Sequence, residues 1–267
     1  MNEYLNLMIN RSSVRHFEPN RQIPNSDIEL IVTAGQRAAS SYNLQTYSFI
    51  SITDEEMREK IALLSENQPF INDASCFLIV CLDLYKMAFV NKKCGYDYYQ
   101  QKYFESTLMA AVDTSLAGQA AASAAESLGY GVCYIGGIRS DSEKIIELLG
   151  LPEKVFPLFG LCIGYPIKKN PPKPRLPITG VLHKDKYSIE SVERAIEEYD
   201  EVMAQSGIYE NRQFPLDEVS RTADIENSEN GQYGWIEHSA RRTSTRKPSK
   251  VRKELAAIIK KQDLSLK

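Results

Sequence analysis

Short continuous apolar runs along this chain predict buried β-strands. Residues 76–82 and 155–166 form two such runs, and the β-rich stretch 47–53 predicts a third strand. A fourth strand is predicted after residue 129, where "GYGVCYIGGIR" ends in a glycine turn. Since these strands alternate with helical segments, the pattern by itself indicates a layered α/β fold.

Helical spacing of apolar residues predicts the intervening elements. The Ala-rich stretch 104–128 carries few charges, and its small side chains allow close packing, so we expect a central helix there. Helices are also predicted at residues 4–9, 189–206 and 249–262, and a helical or loop excursion at 85–103. Three more helix starts are marked by capping-box pairs, namely Ser26 with Glu29, Thr53 with Glu56, and Ser140 with Glu143.

The composition changes after Pro166. The segment "IKKNPPKPRLP" holds four prolines and four cations, which predicts an extended surface segment. Residues 207–240 are polar and are expected to be irregular. Nothing here indicates an independent second domain. We therefore expect a single domain over residues 1–267, in which residues 167–267 form an arm wrapped on the first two thirds or on a partner subunit.

Overall composition narrows the possible function classes. The 267 residues are 43% hydrophobic and carry a net charge of −3, so the molecule is not built to coat nucleic acid or a membrane. The polar start does not resemble a signal peptide, and no apolar run approaches the ~18–20 residues of a membrane helix. Five cysteines without a CxxC pair, and only three histidines, predict reduced, buried thiols in a cytoplasmic protein and no metal site.

Cations and hydroxyls are dense in "NRSSVRHF" at residues 10–17. Arg11 and Arg15 would form a phosphate clamp with Lys173 and Arg175 of the proline-rich segment if the fold brought them together, because an arginine fork matches phosphate oxygens. Two separate solvated basic patches are the alternative interpretation.

Three other segments are candidates for ligand contacts. Ser40, Ser41, Asn43 and Gln45 are either ligand contacts or helix-end caps. The glycines of "YIGGIR" would let backbone N–H groups approach a flat ligand, or they form a tight turn. The tract 241–253, with seven cations and no acid, would bind a phosphorylated small molecule or nucleic acid, or is a solvated tail. No catalytic triad can be built from the dispersed histidines, which suits a protein whose cofactor carries the chemistry.

The order of several segments is similar to that of a known family. An R-S-x-R-x-F-like box is followed by "SSYNLQ", "NQPF", "AAESLGYGVCYIGGIR", "LPEKVFPLFGLCIGYP" and "KPRLP". Over nearly its whole length the chain resembles the FMN-dependent nitroreductase family, closest to its NADPH-dependent flavin reductase and oxygen-insensitive nitroreductase branch. The resemblance implies an α+β fold with a mixed, mostly antiparallel sheet flanked by helices and a C-terminal arm. It also implies a homodimer with FMN at the subunit interface and helix 104–128 in the dimer core.

The resemblance further implies a set of site residues. No catalytic side chain is implied, since flavin N5 carries the hydride and the Gly137 backbone amide supports it. Candidates for binding NADPH or NADH are Arg241, Arg242, Arg246 and Arg252. FMN would be bound at the phosphate by Arg11, Ser12, Ser13, Arg15, Lys173 and Arg175, at the ribityl chain or the polar ring edge by Ser40, Ser41, Asn43 and Gln68, and along the ring by Tyr134, Ile135, Gly136 and Gly137.

The function implied is an FMN-dependent NAD(P)H oxidoreductase. It would reduce nitroaromatics, quinones or free flavin by ping-pong hydride transfer, with small-molecule acceptors and without nucleic-acid or membrane partners. Two alternatives stay open: a reductive dehalogenase or flavin-modifying relative, and a non-enzymatic flavin-binding regulator.

Overall fold

The structure, a computed structural model, describes residues 2–216, 219, 233–247 and 252–267. The chain divides into a first unit, Met1–Pro172 with Arg252–Lys267, and a second unit, Lys173–Val251. Most of the predicted flavin contacts lie in the first unit, whereas Lys173, Arg175 and three of the C-terminal arginines belong to the second.

The first unit contains a four-stranded sheet in the order β1-β2-β4-β3. The strands are β1 Tyr47–Ser51, β2 Cys76–Asp83, β3 Gly131–Ile135 and β4 Val155–Gly164. Each neighbouring pair is antiparallel. The α+β class is therefore confirmed. The α/β arrangement expected from the alternation of elements alone is wrong, since that arrangement is built on a mostly parallel sheet.

Helices of the first unit cover both faces of the sheet. They are α1 Glu3–Asn10, α2 Asn25–Gln36, α3 Glu55–Leu64, α4 Phe70–Asp73, α5 Tyr85–Cys94, α6 Phe104–Ser127 and α7 Ser142–Leu149, and a further helix, Leu255–Lys261, is α10. The central strand β2 is buried along its whole length. Successive side chains of a strand point to opposite faces of the sheet. Phe77 accordingly packs in a core cluster with α3 and α7, and its neighbour Leu78 packs in a second cluster with α2 and α6.

The helix α6 is central, as its small residues predicted. Five of its alanines are fully buried, namely Ala110, Ala117, Ala121, Ala122 and Ala125. Two of its acidic residues are also buried, Asp113 at 1% and Glu126 at 8% exposure. Buried carboxylates need partners, and both find them in loops of the candidate site described below.

The predicted capping boxes are wrong at all three helix starts. Helix α2 begins after Pro24 with no side-chain cap, and α7 begins at Ser142 with none either. Helix α3 is capped by Asp54, whose carboxylate accepts from Met57 N at 2.7 Å. A carboxylate at a helix N-terminus also gains from the helix dipole, so Asp54 replaces the neighbouring Thr53 in this role.

In the described part of the second unit there are two α-helices, α8 Ile189–Gln205 and α9 Trp235–Thr243. Helix α9 stands partly where irregular structure was expected. The buried stripe of α8 runs through Ala195, Tyr199 and Met203, at i, i+4 and i+8. Two other apolar residues of α8, Ile189 and Val202, are exposed.

The cysteines are free thiols, and four of the five are buried. Burial raises the pKa of Cys76 to about 11 and that of Cys81 to about 12, which keeps these thiols protonated and unreactive. Cys94 is exposed, so the expectation of buried thiols is wrong at that position. Among the described helices, none is both long enough and apolar enough to cross a membrane.

Candidate functional site

The arginine loop, residues 10–17, runs beside strand β3. Its backbone is tied to the strand by a hydrogen bond from Val14 N to Val132 O at 3.0 Å. Val14 and Phe17 are each 2% exposed and belong to the core. These two apolar anchors fix the course of the loop, and Arg15 between them is exposed.

The guanidinium of Arg11 is held by Glu126 of α6. Arg11 Nε lies 3.1 Å from each carboxylate oxygen. Its terminal Nη2 atom is buried and has no hydrogen-bond partner among the described residues. Arg11 is thus not part of a solvated patch, and one of its donors is left over for an anion.

The other residues of the arginine loop differ in how they are used. Ser12 donates its hydroxyl to the carbonyl oxygen of Asn170 at 2.6 Å. The side chains of Ser13 and Arg15 form no hydrogen bond within the described parts of the chain. Burial raises the pKa of the Cys133 thiol, and the charges of Arg15 and Arg11 partly offset this, so both guanidiniums lie near β3.

The serine loop, residues 40–46, is held by the second buried carboxylate of α6, that of Asp113. Ser40 Oγ donates to Asp113 Oδ2 at 2.6 Å, and Ser41 donates both its hydroxyl, at 3.2 Å, and its backbone N–H, at 3.0 Å, to Oδ1. The buried hydroxyl of Thr46 lies 3.3 Å from the same carboxylate. Both serine hydroxyls donate to Asp113, so they can act toward other groups only as acceptors, and Ser40 Oγ already accepts from Gln45 N at 2.8 Å.

Three non-glycine residues of the serine loop adopt left-handed backbone conformations. They are Tyr42 with φ 51°, Asn43 with φ 57° and Gln45 with φ 53°. Such conformations are disfavoured for residues with a Cβ and are found most often at functional sites. The side chains of all three are exposed, so the loop presents Asn43 to solvent in a fixed but strained backbone.

The glycine turn, Gly136–Arg139, directly follows β3 and lies against the residues after α3. A Cβ placed on Gly137 would lie 2.5 Å from the carbonyl oxygen of Ser65 and 2.6 Å from Nε2 of Gln68. Gln68 itself donates to Ser65 O at 2.7 Å. The structure therefore brings together two of the predicted contacts, Gln68 and Gly137, and only glycine fits at position 137 without a shift of backbone.

The end of β3 packs against α6. Tyr134 donates its hydroxyl to Gln119 Oε1 of α6 at 2.9 Å, and its ring centroid lies 5.3 Å from that of Phe159. Burial raises the pKa of Tyr134 to about 12. Ile135 is fully buried in the core, so its side chain is a packing residue and only its backbone borders the glycine turn.

In the second unit, Tyr199 of α8 fixes the proline-rich segment. Its hydroxyl donates to Pro174 O at 3.0 Å, and Arg175 Nη1 donates to Pro174 O and Lys173 O at 3.1 Å each. Lys173 and Arg175 are both exposed. Their predicted place at the flavin phosphate stays a prediction.

The four C-terminal arginines separate into two pairs. Arg241 donates to Glu237 at 2.6 Å and to Phe214 O at 2.9 Å, and Arg252 reaches Ser140 Oγ at 3.3 Å and is paired with Glu66 in the first unit. Both are tied into the fold. Arg242 and Arg246 are exposed and form no hydrogen bond to a described residue, so they are the better candidates for binding a phosphorylated co-substrate.

Sequence reasoning missed the two carboxylates that organise the candidate site. Asp113 and Glu126 stand in an Ala-rich helix with few other charges, and an isolated acid in such a helix was the available signal. Their partners lie 72 and 115 residues away along the chain, so spacing could not identify them.

Comparison with known proteins gives consistent matches over the whole chain. The nitroreductase family matches residues 8–165, and the nitroreductase family C-terminal domain matches residues 173–267. The CR(VI) reductase of Pseudomonas sp. (strain G-1) is 41% identical over 206 residues, which cover 77% of this chain and 83% of the relative. The FMN reductase (NADPH) of Bacillus subtilis (strain 168) is 34% identical over 192 residues, which cover 71% and 76%.

Solved structures agree with these matches. The NADPH:FMN oxidoreductase from Vibrio harveyi complexed with NAD+ superposes with a TM-score of 0.82 at 29% identity, and the whole of each chain is covered. Because the family is matched over well more than half of the residues, in sequence and in fold, the chain belongs to the nitroreductase family.

Proposed function

We propose that this chain is an FMN-dependent NADPH oxidoreductase. Its family and its similarity to an FMN reductase (NADPH) and an NADPH:FMN oxidoreductase support the activity and the cofactor. The observation in the chain itself that carries the proposal is the arginine loop. There, a buried Nη2 of Arg11 and the exposed guanidinium of Arg15 are both left without a described partner.

The residues present fit FMN. A phosphate group would supply the oxygens that the partnerless donors of Arg11 and Arg15 lack, and charge-assisted bonds to an arginine fork are among the strongest available. At the other end, the Ser65 carbonyl oxygen and Gln68 Nε2 pack against Gly137 where a side chain would stand, and the ring would lie along the backbone of this turn beside Gln68. Ser40, Ser41 and Asn43 would contact the ribityl chain or the polar edge of the ring.

FMN would supply the redox chemistry in this site, namely hydride acceptance from NADPH and two-electron reduction of an acceptor. The chain's residues bind and orient the reactants. Arg15 holds the phosphate, the Gly137 N–H supports the ring, and Gln68 is fixed beside that turn by Ser65. Arg242 and Arg246 are our candidates for the phosphates of NADPH.

The electron acceptor is proposed from the branch of the family. Nitroaromatics, quinones and free flavin are the expected acceptors, and the relative named CR(VI) reductase adds chromate to the panel. We expect turnover with NADPH to exceed turnover with NADH, since an exposed arginine pair favours the additional phosphate.

The test begins with the spectrum of the purified full chain after incubation with FMN and removal of unbound flavin. We expect a bound flavin that is bleached on rapid mixing with NADPH and is reoxidised by nitrofurazone or a quinone. A colourless protein that binds no added FMN would refute the proposal. A bound flavin that NADPH fails to reduce would refute the enzymatic part and favour a flavin-binding regulator.

We also propose that the chain acts as a homodimer through α6. Three large apolar side chains of this helix are exposed at four-residue spacing, Leu108 at 46%, Val112 at 48% and Leu116 at 44%. A stripe of this kind, on a helix whose opposite face is buried in the core, is typical of a subunit interface.

The dimer is tested by light scattering after size-exclusion chromatography. Leu116→Lys should convert a dimer to a monomer, because it places a charge in the apolar stripe. Leu63→Lys, at an equally apolar and 65% exposed position of α3, is the matched control and should leave the mass unchanged. A monomeric wild type would contradict the proposal.

A further inference from the structure

The carboxylate of Asp113 receives donors from three residues of the serine loop. Hydroxyl groups of Ser40, Ser41 and Thr46 lie 2.6, 3.2 and 3.3 Å from it, and the backbone N–H of Ser41 lies 3.0 Å away. Asp113 is 1% exposed, so a bound molecule would not touch it. The carboxylate thus acts on this loop from inside the protein.

The serine loop depends on this anchor at its N-terminal half. For Ser40 and Ser41, Asp113 is the one hydrogen-bond partner from outside the loop that the described residues provide. Directly after them, Tyr42 and Asn43 adopt left-handed backbone conformations. A strained segment keeps one shape only when its surroundings determine it, and here the anchor is a charge with several aligned donors.

We propose that Asp113 is a positioning residue for the flavin, acting through Ser40 and Ser41, an inference that rests on the FMN site of the proposed function. Because both hydroxyls donate to Asp113, Ser41 Oγ can only accept from a ligand, and Ser40 Oγ accepts from Gln45 N at 2.8 Å, which closes the loop on itself. By holding Ser41 N–H, Asp113 fixes the backbone that presents Asn43. Replacement by Asn leaves one oxygen and turns an N–H₂ group toward these donors, so the loop loses both functions.

The matched control is Asp83 of β2. This carboxylate is 6% exposed and accepts from Ser48 Oγ at 2.5 Å and from Lys86 N at 3.4 Å, but it bonds no side chain of the serine loop. The Asp83 backbone N–H also donates to Thr46 O at 3.0 Å, and Lys86 Nζ, 3.6 Å from the carboxylate, donates to Gln45 O at 3.2 Å, so Asp83 lies at the C-terminal end of the serine loop. Asp83→Asn removes a carboxylate of similar burial beside this loop while leaving the Asp113 hydrogen bonds to Ser40 and Ser41 in place.

The experiment compares wild type, D113N and D83N as full chains. FMN dissociation constants are measured by fluorescence quenching, thermal midpoints by scanning calorimetry of the flavin-free proteins, and the ring environment by visible circular dichroism. We expect D113N to raise the dissociation constant at least about tenfold and to change the dichroism of the bound flavin. D83N should lower the midpoint while keeping the wild-type dichroism and dissociation constant.

A double-mutant cycle tests whether Asp113 acts through the serines. If it does, D113N and the S40A/S41A variant should affect FMN binding non-additively, since both remove the two serine hydroxyl hydrogen bonds to Asp113. Additive effects would overturn the inference, and so would equal losses of affinity in D113N and D83N, which would make Asp113 a stability residue only.

Two further outcomes are separated by the design. If wild type binds no FMN, the proposed function fails and the variants are not needed to show it. If D113N does not fold, Asp113→Glu decides, because it keeps the buried charge and displaces the carboxylate oxygens from the hydroxyls of Ser40 and Ser41. A raised dissociation constant with altered dichroism supports the inference, and wild-type values overturn it.

Discussion

The arginine loop and the serine loop are both held by a buried carboxylate of α6, yet they are left in opposite states. Asp113 accepts hydrogen bonds from two hydroxyls and one backbone N–H of the serine loop. These bonds fix the conformation of the loop and leave it few free donors. Glu126 takes one face of Arg11 and leaves Arg15 untouched, so the arginine loop keeps its charge available. We infer from this difference that the serine loop contributes a fixed geometry to the site, whereas the arginine loop contributes electrostatic attraction.

The most direct test of these two roles is the substitution of Arg15. Arg15→Ala should raise the FMN dissociation constant about 10- to 100-fold, corresponding to about 1.5–3 kcal/mol for a charge-assisted hydrogen bond. The stability of the flavin-free protein should change by less than about 0.5 kcal/mol, because the side chain is exposed and has no described partner. Fluorescence titration measures the first effect and urea unfolding the second.

The control for that variant is Arg194→Ala, which removes an exposed arginine of α8. If both variants bind FMN as wild type does, Arg15 is not a phosphate contact and the contrast between the loops has no functional meaning.

A substitution in the glycine turn tests whether a fixed backbone geometry outside the serine loop also contributes to FMN binding. Gly137→Ala places a methyl group 2.5 Å from a backbone carbonyl, which should lower the free energy of unfolding by about 1–3 kcal/mol and weaken FMN binding. Gly136→Ala meets its nearest atom at 3.6 Å and should be nearly silent. Equal unfolding midpoints in urea for the two variants would contradict the close approach at position 137.

Removal of Arg11 should affect stability more than flavin binding. Arg11→Ala leaves Glu126, whose side chain is 7% exposed, without its partner, and should lower the free energy of unfolding by about 1–2 kcal/mol after allowance for the partly exposed guanidinium. The double variant Arg11→Leu with Glu126→Leu should recover most of this loss, since a buried pair can be replaced by apolar residues. A loss of FMN affinity in Arg11→Ala larger than that in Arg15→Ala would reverse the roles assigned to the two arginines.

The smallest expected effect is a pH dependence. Burial raises the pKa of Tyr134 to about 12, against an ordinary value of 10, while the nearby charge of Arg11 acts in the opposite direction. The folded state thus holds this proton more tightly, so the stabilisation is complete below pH 10 and is lost as the pH rises from 10 to 12. Urea unfolding of the flavin-free protein across this range should show a decline that is weaker in Tyr134→Phe, and identical declines would contradict the assignment.

Some local features of the candidate site could be predicted from the sequence, because they depend on a few neighbouring residues. Paired glycines after a strand predict a turn that another backbone segment can approach closely. The structure confirms this at Gly137, where a Cβ would lie 2.5 Å from the carbonyl oxygen of Ser65. Two arginines and two serines close together predict anion chemistry wherever they lie. The helix starts were less predictable. Thr53 and Asp54 are adjacent, both are good N-cap residues, and only a small difference in free energy decides which of them caps α3.

The sequence by itself determined most element types and the kinds of residue available for binding a ligand, because propensity, apolar spacing and residue chemistry act over a few residues. The flavin was implied by the resemblance of ordered segments to a known family. Only the tertiary structure decided which of those residues remain available. Arg11 and the two serines of the serine loop are engaged by α6, whereas Arg15 is not, and the partners in question are separated by 72 and 115 residues. Pairings at that distance follow from how α6 packs against the sheet, so the physical reason lies in the packing of the whole first unit.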